Sequence, residues 1–143
     1  MAYWKFVCSW ETERECLIRK LAGSFERETE DGEPLDVEKG DTIFLHRTTG
    51  PNEGTGYLLG PFIAASDASE DIVPQAWNHK ARFRWQVRFD WEDTVYSLNV
   101  GDLYDGSDDP SVRLTADPQV FSEVSGLFLA GQLRDSDPII SPP

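Results

Sequence analysis

Histidine, cysteine and methionine are scarce: two, two and one among 143 residues. Cys8 and Cys16 have no His or Cys companions at ligand spacing, so no metal site is expected and buried free thiols are the natural reading. His46 and His79 lie in no recognisable motif. There is no Gly-rich phosphate loop and no nucleophile elbow, which removes the motif-bearing enzyme classes. No run of about 18 apolar residues occurs, so no helix is expected to span a membrane. Met1 to Val7 lacks the basic start and apolar stretch of a secretory signal, which points to a cytoplasmic protein. Lysine is also rare, four against nine arginines, and 26 acidic residues leave a net charge of −13.

That charge has two explanations. It argues against phosphate binding, which uses positive surfaces. It is equally what keeps a halophile's protein hydrated in concentrated salt, where charges are screened within a few ångströms and recognition rests on short contacts. Local charge is therefore more informative than the sum.

Residues 82 to 91 alternate polar and apolar without a break. A strand puts Phe83, Trp85, Val87, Phe89 and Trp91 on one face and Arg82, Arg84, Gln86, Arg88 and Asp90 on the other. Other strands are expected over Tyr3 to Trp10, Thr42 to Arg47, Tyr57 to Ser66 and Thr94 to Val100, with a short one at Val112 to Thr115. Gly60-Pro61 suggests a bulge or an edge, because Pro cannot donate to a ladder. Thr12 to Glu15 reads as a capping box for a helix with Leu17, Ile18 and Leu21 on one stripe and Gly23 as its cap. Glu26 to Asp36 is a solvated acidic loop. Asp117-Pro118 opens a last helix with a stripe of Val120, Phe121, Val124, Leu127 and Phe128. The order implies an α+β domain over 1–134, a small mixed, partly closed β-barrel flanked by helices, followed by a flexible tail over 135–143.

Three stretches together resemble the PUA-like superfamily, in particular its YTH, EVE and DCD branches. They are Trp4 to Trp10 with the helix that follows, Lys39 to Leu45 with its Gly-rich hairpin, and Ile72 to Trp77 before the alternating strand. Leu59 to Ala64, Pro74 to Trp77 and Gln86-Val87-Arg88 are closest to DCD wording. Ser9-Trp10, Gly23-Ser24-Phe25 and Trp77 are closest to YTH.

The resemblance implies a PUA-like barrel and a reader that holds a flipped, methylated base in an aromatic cage. Its partner would be DNA or RNA carrying a modified base, together with a nuclease or restriction-system subunit in the EVE manner. No cofactor or chemistry of its own is implied. By position Trp77 is the expected cage wall and Phe25 stands where the family has its first cage tryptophan. Trp10 lies at the rim, and Ser9, Cys8 (through its backbone) and Asn78 can read the base edge. Phe25 is a smaller plate than Trp and has no N–H donor. The short Trp77 to Phe83 spacing puts selectivity for N6-methyladenine in doubt.

His79, Lys80, Arg82, Arg84 and Arg88 make a basic patch suited to phosphate, with no acidic residue from 74 to 89. Each choice has a structural rival. Trp77 can plug the barrel, Trp10 can pack at a strand end, Phe25 can fix the helix end, and the arginines can pair with neighbouring carboxylates. The second functional reading is a DCD-like protein-interaction module of the stress-response kind.

Overall fold

The computed structural model describes residues 1–48, 56–77, 83–104 and 113–141. The strands are β1 (Tyr3–Ser9), β2 (Leu21–Ser24), β3 (Thr42–Thr48), β4 (Tyr57–Ala64), β5 (Ser69–Glu70), β6 (Trp85–Asp90), β7 (Val95–Asn99), β8 (Gln119–Phe121) and β9 (Asp137–Ile140). The helices are α1 (Trp10–Arg19), α2 (Val100–Tyr104) and α3 (Glu123–Arg134). The architecture is mixed α+β: a curled, half-closed sheet in the order β2-β6-β4-β3-β1-β8, with helices on it. β1 and β3 run parallel and the other pairings are antiparallel.

β4 explains the curl. Its first half, Tyr57 to Gly60, pairs with β7, and its last two residues, Ile63 and Ala64, pair with β6. The hand-over falls at Gly60-Pro61, where Pro61 has no N–H to give and Gly60 takes a φ of +139°. The register against β3 also shifts there, between Ile43 and Leu45.

Two apolar cores lie on opposite faces of this sheet. Inside the curl are Trp4, Phe6, Cys8, Ile43, Leu45, Phe62, Val87 and Phe89. On the outer face Tyr3, Phe44, Leu58, Leu98 and Phe121 are covered by Leu129, Ala130 and Leu133 of α3. Hence Ile43-Phe44-Leu45 is a continuous apolar run, each residue serving one core or the other. Asp41, buried just before β3, accepts from the Ala2 N–H at 3.0 Å, Trp4 Nε1 at 2.9 Å and the Glu38 N–H at 2.9 Å.

Several element boundaries differ from the sequence expectation. α1 begins at Trp10 with Ser9 as its cap, whose N–H donates to Thr12 Oγ1 at 3.0 Å, so Thr12 is the third helical residue. The helix ends at Arg19 because Lys20 adopts the left-handed conformation, φ 52°, and its N–H reaches the Cys16 and Leu17 carbonyls. That frees Gly23 to join β2. β8 occupies part of the expected last helix, pairing Tyr3 with Phe121, and Ser122 caps α3 by accepting from the Ser125 N–H at 3.2 Å. The buried side of α3 is Ser125, Gly126, Leu129, Ala130 and Leu133, opposite the expected stripe. Residues 113 to 115 form no strand, and part of the expected flexible tail is β9, paired with β7.

A Cβ on Gly126 would stand 2.1 Å from Tyr3 Cγ, so this glycine sets how closely α3 approaches the sheet. Gly126→Ala is expected to lower stability by about 1–3 kcal/mol, the usual range for overpacking. Chemical denaturation checks this, and an unchanged midpoint would show that the helix can shift freely.

Candidate functional site

A cavity of about 390 Å³ opens where β1 ends and α1 begins, bounded by Cys8, Ser9, Glu11 and Thr12 on one side and by Gly23, Ser24 and Phe25 after α1 on the other. Phe83, Thr48 and the segment Ala116 to Pro118 complete it. The size falls in the range of about 300–1,000 Å³ typical of small-molecule sites.

Its aromatic wall is built in a chain of edge-to-face contacts. Phe25 is 65% exposed and meets Phe83 with ring centroids 4.8 Å apart. Phe83 in turn meets Trp77 at 5.0 Å. Gly23 makes this stacking possible, since a Cβ there would lie 2.5 Å from Phe83 Cβ and 2.9 Å from the Trp77 ring. Trp77 itself is 1% exposed and does not line the cavity, so the expected cage wall is a core side chain that backs the wall.

The segment carrying Trp77 is held from two sides. Gln86, expected on the outward arginine face, is buried. Its amide accepts from the Val73 N–H at 2.7 Å and donates to the Val73 and Phe83 carbonyls at 3.2 and 2.9 Å. Glu15, expected as a cap partner, instead accepts from the Trp77 N–H at 2.6 Å. Trp77 stands at φ 57°, and its buried indole N–H has no hydrogen-bond partner among the described residues.

On the far side a fully buried lysine positions Asp117 and Pro118. Lys5 Nζ donates to the Thr115 carbonyl and lies 3.4 Å from His46 Nδ1. Nothing in the sequence announces this role, because an isolated Lys in a strand reads as facing solvent.

The polar groups at the cavity are hydroxyls and carboxylates. Ser9, Thr12, Ser24 and Thr48 offer hydroxyls, and Glu11 and Asp117 offer negative charge. The Cys16 thiol hydrogen-bonded to it, together with burial, pushes the Cys8 thiol well above its usual range. Cys8 therefore stays protonated and is a poor nucleophile. Among the described residues no cluster of three His, Cys, Asp or Glu side chains could hold a metal, and no helix is long and apolar enough to cross a membrane.

Of the residues expected to bind a base, Cys8, Ser9 and Phe25 converge on this cavity. Trp10 is 73% exposed and does not line it. Asn78, His79, Lys80 and Arg82 lie outside the described residues. Arg84 pairs with two neighbouring carboxylates, Asp71 at 3.1 Å and Glu70 at 3.6 Å. Arg88 is exposed, with no ion pair among the described residues. Sequence reasoning missed Phe83 as a wall, Gln86 as a clamp, and Thr12, Ser24 and Asp117 as lining. Phe83 had a signal, its place beside Trp77, but the strict alternation assigned it wholly to the core.

No family model matches the chain, and a search of the curated proteins finds no match.

The two aromatics should separate cleanly on mutation. Trp77→Ala removes a fully buried side chain and is expected to cost about 3–5 kcal/mol. Phe25→Ala, at an exposed ring, should change stability by no more than about 1 kcal/mol. Parallel thermal melts test this. Equal losses at both positions would mean that Phe25 is a packing residue.

Proposed function

We propose that the chain is a PUA-like domain of the YTH, EVE and DCD kind that binds a modified, methylated base in nucleic acid and performs no chemistry of its own. The observation that carries this reading is Phe25, a large apolar ring 65% exposed that lines a cavity also lined by hydroxyls. A flat base stacks on such a ring for about 1–3 kcal/mol, and the hydroxyls and backbone groups of Ser9 and Ser24 are suited to hydrogen-bond its edge. Trp77 supports the wall from behind. Its left-handed backbone and the indole N–H unpartnered among the described residues each cost about 1–3 kcal/mol. Such costs concentrate at functional sites.

The electrostatics limit the mode of binding. Glu11 and Asp117 border the cavity, and Arg84 is taken up by Glu70 and Asp71. Among the described patch residues only Arg88 is free of an ion pair, so in this reading affinity rests mainly on the base. A nuclease or restriction-system subunit would supply any cleavage. The exposed indole of Trp10 favours a second reading, a DCD-like protein-interaction module.

The test is binding to methylated, hydroxymethylated and plain oligonucleotides. A base reader prefers one modified form, and Phe25→Ala lowers that affinity by about tenfold or more, as loss of stacking requires. Its dependence on salt is shallow, with a log–log slope nearer −1 or −2 than the roughly −6 or steeper of proteins that track many phosphates. Equal affinity for modified and plain strands excludes the reading and leaves the interaction module.

A further inference from the structure

α3 is apolar on two opposite sides. The inner side packs on the outer core through Leu129, Ala130 and Leu133. The outer side presents Val124, Leu127 and Phe128 at 79%, 54% and 37% exposure. With Gly131 these residues fall at i, i+3, i+4 and i+7, a single stripe. Charge appears only at its ends, as Glu123 and Arg134, both exposed and neither ion-paired among the described residues. A solvated helix carries polar residues along its outer face, and one that is apolar all round is covered on both sides. Beside the stripe lies a groove of about 400 Å³ lined by Leu127, Met1, Pro61 and Ile63, with Arg134, Glu92 and Asp93 also on its walls.

We propose that a second copy of this chain covers this face, through an antiparallel α3–α3 contact about a twofold axis. The charges select this occupant. Glu123 and Arg134 stand roughly 16 Å apart along the helix at 1.5 Å per residue. Reversing one helix beside the other brings each Glu123 to the partner's Arg134, and symmetry makes the contact twice. A parallel pairing would stack like charges instead. Among the described residues nothing beyond the helix's own backbone stands within 4 Å of the place a Gly131 Cβ would take, which leaves room for an apposed ring such as Phe128.

The net charge of −13 on each copy opposes association at low salt. At roughly 1 M salt the repulsion reaches only about 3 Å, and the apolar contact remains. Association therefore strengthens as salt rises, opposite in sign to phosphate binding.

Analytical ultracentrifugation of the full chain at about 0.1 M and about 1 M salt reads this directly. A dimer should form at the higher salt. Leu127→Glu should raise its dissociation constant by about tenfold or more. At the lowest salt at which the dimer forms, where facing charges are least screened, Arg134→Glu should weaken it too, and combining Arg134→Glu with Glu123→Arg should restore it. Circular dichroism confirms that each variant folds. A monomer at both salts overturns the proposal, as does a dimer indifferent to Leu127→Glu or a charge swap without rescue.

Discussion

Gly23 is the constraint on which the candidate site rests. The residue lies in β2 at the point where Phe83 and Trp77 close on the strand, and any side chain there would occupy their space. Because the strand is bare, Phe83 can lean across it to meet Phe25 and form one continuous wall from core to solvent. The clamps on either side serve that same contact. Gln86 fixes Val73 and Phe83, and Glu15 fixes the Trp77 backbone, so three separate segments are tied to one place in the sheet. Gln86 is a buried polar side chain and Glu15 a partly exposed one, and each satisfies a backbone N–H that would otherwise compete for water.

Burying the central strands on both faces has a second consequence. β1, β3 and the first half of β4 divide their side chains between two cores, so no face of these strands is left for solvent. Charged residues caught there must be satisfied internally, as Lys5 is by the Thr115 carbonyl and Asp41 is by three N–H donors. Lys5 thereby couples the outer face of the sheet to the segment that lines the cavity. α3 repeats the two-sided pattern in a helix. One side matches the sheet through Gly126 and Ala130, small residues that permit close approach, and the larger Val124, Leu127 and Phe128 are turned away. Close approach at Gly126, beneath which Tyr3 packs, helps decide which side goes down.

The same fact explains where the sequence was legible. Period-two alternation located β6, and Gly60-Pro61 marked the break in β4, because those signals come from local covalent chemistry. Ser9, Cys8 and Phe25 were legible as neighbours because strand, helix and turn follow one another without interruption. The orientation of α3 was not, since both of its sides are apolar and only the volume of Tyr3 beneath it distinguishes them. The end of α1 was missed because a glycine three residues on looked like the cap, whereas Lys20 accepts the left-handed turn. Gln86 and Glu15 were misplaced for a common reason: their partners, Val73 and Trp77, are distant in sequence, and no local pattern encodes a long-range hydrogen bond. Trp77 was found as important, but its depth is set by Gly23 and Phe83 together and by nothing adjacent to it.

Five of the basic side chains on the described surface sit in local pairs. Arg19 meets Glu15, Arg27 meets Glu70, Arg47 meets Glu13, Lys20 meets Asp90, and Arg84 meets both Glu70 and Asp71. Lys20 and the Trp91 N–H hold the Asp90 carboxyl below its usual range. Exposed pairs of this kind stabilise by about 0–1 kcal/mol each, so a ligand phosphate could displace a carboxylate at little cost. The gain would be equally small, because each guanidinium exchanges one anion for another. Long-range attraction for a polyanion is therefore weak by construction, at low salt through net repulsion and at high salt through screening. What salt leaves intact is contact between apolar or aromatic surfaces. Among the described residues the Phe25 ring, the Trp10 indole and the outer stripe of α3 are such surfaces, and selectivity has to originate there.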